Sequence, residues 1–176
     1  MNSIILRSAN EGDAPAIAAL HAASWRDAYA DILAPDFLNG EIEADRRMVW
    51  TQRLDTPEAG QVVNVACDRS GRLRGFICCY RDADPVWGSL VDNLHVAADA
   101  RGSGLGEQLL RDAARRLAAH AAGPALHLWV FEANVAGLRF YTRLSGRVVE
   151  TGRSQIPAAG GKTVLRVHWP DLTQLA

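Results

Sequence analysis

Apolar positions along this chain follow two periods. Short runs in which they crowd together alternate with longer ones in which they recur every three or four residues. Ile4–Arg7 is the first candidate strand. Asp13 then offers an N-cap, Pro15 suits a first turn, and Ile17, Leu20 and Trp25 carry a helix to about Tyr29. APDFLNG (34–40) should break it, and a second helical piece of mixed charge follows at about Ile42–Leu54. QVVNVACD (61–68) and RLRGFICCY (72–80) are β-rich, with the turn residues RSG between them, which predicts an antiparallel hairpin. DADP (82–85) turns the chain into the next strand, GSLVDNLHVAAD (88–99).

From Gly104 the helical period returns through Leu105, Leu109, Leu110, Ala113, Leu117 and Ala121, and Gly123-Pro124 stops it. ALHLWVF (125–131) reads as a strand, Asn134–Leu144 as a helix, and GRVVE with KTVLRVHW as a closing strand pair. The order βααβββαβαββ predicts one α/β domain over residues 1–176. Its sheet should be mixed but mainly antiparallel and twisted, of about six or seven strands, with helices flanking it. At 176 residues, 48% hydrophobic and 22% charged, the chain can bury a core of that size.

Composition acts mainly by exclusion. A net charge of −1 provides no field to draw nucleic acid or anionic lipid. Cys67, Cys78 and Cys79 form neither a disulfide framework nor a zinc spacing, and their apolar surroundings suggest buried free thiols. His120, His127 and His168 show no ligand spacing, so no metal is expected. No run approaches the roughly 20 apolar residues of a membrane span, and the first residues lack a signal-peptide pattern. The expectation is a cytoplasmic protein with no membrane or nucleic-acid partner.

One stretch asks for a ligand. In ARGSGLGEQLL (100–110), Gly102, Gly104 and Gly106 follow Arg101 and run into a helix. A dinucleotide fingerprint would need glycine where Glu107 stands, and the Gly-Lys-Ser/Thr of a Walker A loop is absent. What remains is a strand-to-helix turn that aims backbone N–H groups, aided by the helix dipole, at one point. That geometry suits a pyrophosphate, although the glycines could also serve a tight turn alone.

LHVAADARGSGLGEQLL (94–110) resembles motif A of the GCN5-related N-acetyltransferase (GNAT) superfamily. LWVFEANVAGLRFYTRLSGR (128–147) resembles its next segment, with Asn134 and the Phe140-Tyr141 pair, and HAASWRDAYADIL (21–33) resembles its first helix. The likeness spans roughly residues 4–169. One departure is Ser145-Gly146-Arg147, where many relatives read Gly-Phe.

The resemblance implies an acetyl-CoA-dependent N-acetyltransferase. It would move the acetyl group to a primary amine by direct attack in a ternary complex. Backbone at Leu94, His95 and Val96 would bind the pantetheine arm. Arg101 and the backbone of Gly102, Ser103, Gly104, Leu105, Gly106 and Glu107 would bind the pyrophosphate. Asn134 would cap its helix and touch the cofactor, and Tyr141 would serve the departing sulfur as general acid or hydrogen-bond donor. A phenol near pKa 10 facing a thiol near 8.5 makes full transfer uphill by about 2 kcal/mol, which favours donation.

The remaining roles stay open. Asp92 and His95 are base candidates, but strict alternation sets them on opposite sheet faces unless a β-bulge, common in the family here, intervenes. A water chain without a single base is a rival. His21, Trp25 and Tyr29 form a stripe on the first helix, readable as acceptor contacts or as core. The acceptor could be a small-molecule amine or a protein amine, and a homodimer is left open. A non-catalytic acyl-CoA-binding or sensor module is the alternative function, which intact Asn134 and Tyr141 disfavour.

Overall fold

Among the described residues, seven strands and four α-helices realise the apolar pattern in the order read from it. The computed structural model describes residues 4–175. The chain runs β1 (Ile5–Ser8), α1 (Ala14–Ala28), α2 (Ile42–Asp55), β2 (Gln61–Cys67), β3 (Leu73–Asp84), β4 (Gly88–Val96), α3 (Leu105–Ala118), β5 (Leu126–Phe131), α4 (Val135–Arg143), β6 (Arg147–Arg153) and β7 (Thr163–Trp169). The strands form a seven-stranded sheet in the order β1-β2-β3-β4-β5-β7-β6. Every pairing is antiparallel except β4 with β5. Among the described residues no helix is long and apolar enough to cross a membrane.

The sheet buries both faces. Leu105, Leu109, Leu110, Ala113 and Leu117 on α3 pack with Ile77, Val91, Leu126 and Leu128, and Tyr141 of α4 joins them. On the opposite face Ile17 of α1 and Trp50 of α2 pack with Val65, Phe76 and Cys78. Cys67, Cys78 and Cys79 are all buried and free. Burial pushes the Cys78 thiol up to about 12, so it stays protonated and inert.

Local details differ from the pattern. Asp13 occupies the position before α1 but makes no side-chain cap to it. Its carboxylate instead takes Arg7 at 2.7 and 2.8 Å and the Asn10 backbone N–H at 2.9 Å. Segment 34–40 does not simply break the chain, because Phe37–Glu41 forms a wide helical turn that leads into α2. The helix starting near Gly104 ends at Ala118, short of Ala121.

Two features of β4 position the site. Cys78 pairs with Asn93 and Cys79 with Val91, so Asp92 is an extra residue in a β-bulge. β4 also pairs with β5 only at Ser89–Leu126, Leu90–His127 and Val91–Leu128, although both strands run on to Val96 and Phe131. Beyond the bulge the two parallel strands diverge.

Candidate active site

The fork between β4 and β5 opens into a cleft of about 1520 Å³ lined by Asp92–Val96 on one side and Leu128–Phe131 on the other. β3 holds the far edge of β4, and β7 holds the far edge of β5. The facing edges therefore carry backbone N–H and C=O groups with no ladder partner among the described residues, as an extended ligand requires.

At one end of the fork stands the glycine turn. Gly102 and Gly104 have φ of +76° and +83°, and a Cβ on either would meet nothing within 4 Å. These glycines are therefore set by backbone conformation and not by crowding from the protein. Gly104 is the N-cap of α3 and has no side chain to satisfy the first helical N–H groups, which are left for a ligand. Gly106 lies in the first turn, where a Cβ would come within 3.4 Å of the Phe140 ring. α4 is thereby held against the turn.

Arg101 reaches across to α1 and pairs with Asp27. Ser103 is exposed, its hydroxyl donating to the Ala100 carbonyl at 2.6 Å, and it does not line the cleft. Asn134 begins α4, its side chain accepting from the Gly137 N–H at 3.0 Å. A Cβ at Gly137 would lie 2.6 Å from that amide, so this cap needs a glycine three residues on. Tyr141 lines the cleft, its ring packed edge-on against Phe140 and Trp169. Burial, with Tyr29 and Cys79 nearby, raises its pKa, so the phenol keeps its proton.

Across the fork, α1 and α2 form the other wall. The bulge places Asp92 on this side, 2.8 Å from Arg53 of α2. His95 also faces it, with Nδ1 2.8 Å from Ser24 Oγ of α1. Both base candidates thus share one face, as strict alternation would not allow. Loss of solvent, helped by Arg101 and Arg46, pushes His95 down to about 3, so its imidazole is neutral near pH 7. Trp25 and Tyr29 line the cleft, whereas His21 is fully buried behind them and does not reach it. His21 accepts at Nδ1 from Trp50 Nε1–H at 2.9 Å, and its ring lies 4.5 Å from that of His95.

Residues 25–146 match the acetyltransferase (GNAT) family. The chain belongs to that family. It is 27% identical over 174 residues to the uncharacterized N-acetyltransferase YuaI of Bacillus subtilis, covering 98% of this chain and 96% of that one. The PaiA N-acetyltransferase of Thermoplasma acidophilum, solved in complex with coenzyme A, superposes with a TM-score of 0.76 at 17% identity, covering 95% of this chain and 99% of that one. NAA60 of Arabidopsis thaliana, solved with a bisubstrate analogue, gives 0.68 at 18%, with 95% and 97% covered. This chain is a GNAT acetyltransferase, and acetyl-CoA is the donor such enzymes use.

The residues present fit that donor. The fork provides unpaired strand edges for an amide-bearing arm, and the turn provides uncrowded N–H groups for phosphates. Sequence reasoning missed several residues that line the cleft: Ser24, Arg46, Arg53 and Phe131, together with the β6–β7 loop at 155–158. Arg46 pairs with Asp45 and lies 4.6 Å over the Trp25 ring. Ser24 was the one within reach, since it lies three residues beyond His21 on the same helix.

The histidines have a consequence for stability. Burial is the leading cause that lowers the pKa of His21, His95, His127 and His168 below the usual 6.5. The unfolded chain therefore binds more protons than the folded one below about pH 6.5. Stability is fully present above that pH and is lost as the pH falls toward 3. Thermal melts should show Tm dropping between pH 7 and 5, with a shallower drop in His95→Gln. A flat profile would contradict the neutral, buried imidazoles.

Proposed function

We propose that this GNAT enzyme transfers an acetyl group from acetyl-CoA directly to a primary amine, with both bound in the cleft at once. The observation that carries this reading is the fork itself, with the glycine turn and Tyr141 on one side and a polar, aromatic wall on the other. Acetyl-CoA, when bound, supplies the activated thioester. Leu94, His95 and Val96 would bind its arm through their backbone, the 102–107 turn would bind its phosphates, and Asn134 would orient it. Arg101 would join the phosphate site by giving up Asp27.

Tyr141 would hold its proton at the phenol oxygen and donate a hydrogen bond to the sulfur. The raised pKa favours donation over full transfer. On the other side, an alkyl ammonium near pKa 10 must lose a proton, and an imidazole at about 3 is a poor destination. That transfer is uphill by about 7 pKa units, roughly 10 kcal/mol. His95 and Asp92 are better suited to orienting the amine and anchoring a water chain than to acting as a single base. Trp25 and Tyr29 would contact the acceptor, with His21 holding His95 in place. The acceptor is a small amine or a protein amine. The cleft's aromatic wall accommodates either.

The test is Tyr141→Phe assayed for CoA release against a panel of primary amines. A fall of about 10- to 100-fold in kcat with unchanged acetyl-CoA affinity is expected. An unchanged kcat would remove Tyr141 from the chemistry. Tight acetyl-CoA binding by the wild type without turnover on any amine would favour the sensor reading.

A further inference from the structure

A second cavity, of about 580 Å³, lies at the opposite end of α3 from the glycine turn. At 1.5 Å per residue the 14 residues of α3 separate the two by about 21 Å. The cavity has a local cause. β1 ends at Ser8, paired with Asn64, so the start of β2 runs on past it. Only the Ala9 N–H to Val63 carbonyl bond, 2.8 Å, continues that edge. α2 has ended at Asp55, and Pro57 turns the chain away.

Its floor is apolar, from Leu54, Val62, Val63 and Leu117. Its rim carries the guanidinium groups of Arg81, Arg115 and Arg116, and none of the lining residues is a carboxylate. Asp112, outside the lining, takes Arg116 at 2.9 Å, Arg115 at 3.7 Å and the Asn64 side-chain amide at 2.9 Å. One carboxylate thus serves two arginines. Arg81 makes only a 3.4 Å contact to the His120 carbonyl, and among the described residues no acid lies within 4.0 Å of it.

Arginines at a helix C-terminus complement its dipole, which accounts for Arg115 and Arg116 but not for Arg81, which comes from β3.

We propose that this cavity binds a small anionic amphiphile, its head on the Arg81–Arg115–Arg116 rim and its apolar body over Leu54, Val62 and Leu117. Guanidinium groups take carboxylate and phosphate heads alike, and the same test separates the two.

The experiment titrates full-length protein, saturated with acetyl-CoA, with hexanoate, hexyl phosphate, hexan-1-ol and inorganic phosphate, read by calorimetry and ligand-observed NMR. At least one of the first two should saturate a single site, and the tighter one names the head group. Hexan-1-ol, which lacks the charged head, and inorganic phosphate, which lacks the apolar body, should both be weaker. Arg81→Gln and, separately, the exposed Arg115→Gln should each weaken binding, by about tenfold for Arg81→Gln, with wild-type melting and acetyl-CoA affinity. The proposal is overturned if neither amphiphile saturates by about 20 mM, if inorganic phosphate binds as tightly, if acetyl-CoA displaces the probe, or if both folded variants bind like wild type.

Discussion

Gly104→Asp is expected to abolish acetyl-CoA binding while leaving the fold intact. The position combines φ of +83° with open space, so a side chain there meets no protein atom within 4 Å. The backbone cost is on the order of 1 kcal/mol, because aspartate tolerates the left-handed region better than most residues. The electrostatic cost to the ligand is larger. A carboxylate about 4 Å from a phosphate, at an effective dielectric near 20, opposes it by about 4 kcal/mol. At least about a 100-fold loss of affinity should follow. Gly104→Asn has the same shape without the charge and should lose far less. Calorimetry on both variants, with melts to verify folding, separates charge from strain. Near-wild-type affinity in folded Gly104→Asp would mean that the turn does not hold the phosphates.

The largest effect on stability should come from Gly88→Ala, at the start of β4. Its φ is +76°, and a Cβ would lie 2.3 Å from the Ala125 carbonyl oxygen, which also accepts the Ser89 N–H at 3.0 Å. The clash is with backbone and cannot be relieved by a rotamer. It pries apart the one parallel pairing in the sheet, at its short closed end. Strain of about 1–3 kcal/mol from the dihedral, plus the lost pairing, gives a destabilisation on the order of 3 kcal/mol. For a domain of this size Tm should fall by about 6–12 °C. Gly71→Ala is the control, since its φ of +84° comes with no neighbour within 4 Å. It should cost only the dihedral term. Equal melting of the two variants would contradict the packing at Ala125.

What could be read in advance depended on how local its cause was. The order of elements, the hairpin and the α3 face follow from periodicity, because each reflects burial along a single segment. The glycine turn was legible for the same reason: positive φ at Gly102 and Gly104 is a demand on those residues alone. The bulge at Asp92 is different. Nothing in LVDNLHV marks which residue is extra, since the shift arises from how β4 pairs with β3.

The stripe on α1 was legible only in part. Residues four apart advance 400° around a helix, so each step drifts about 40°. His21, Trp25 and Tyr29 therefore pass from full burial, through the cleft's edge, into the cleft. Ser24, Arg46 and Arg53 reach the site from α1 and α2 by tertiary packing, which no spacing within either helix declares. Arg101 was read from its motif as a phosphate ligand, and the structure pairs it with Asp27.

The central claim is that the β4–β5 fork and the glycine turn hold acetyl-CoA. Hydrogen–deuterium exchange with and without acetyl-CoA, on protein first freed of carried-over CoA, tests it most directly. The account predicts protection confined to Leu94–Val96, 102–107 and the start of α4 at Asn134–Gly137. Protection elsewhere, or none at a saturating concentration, would contradict it.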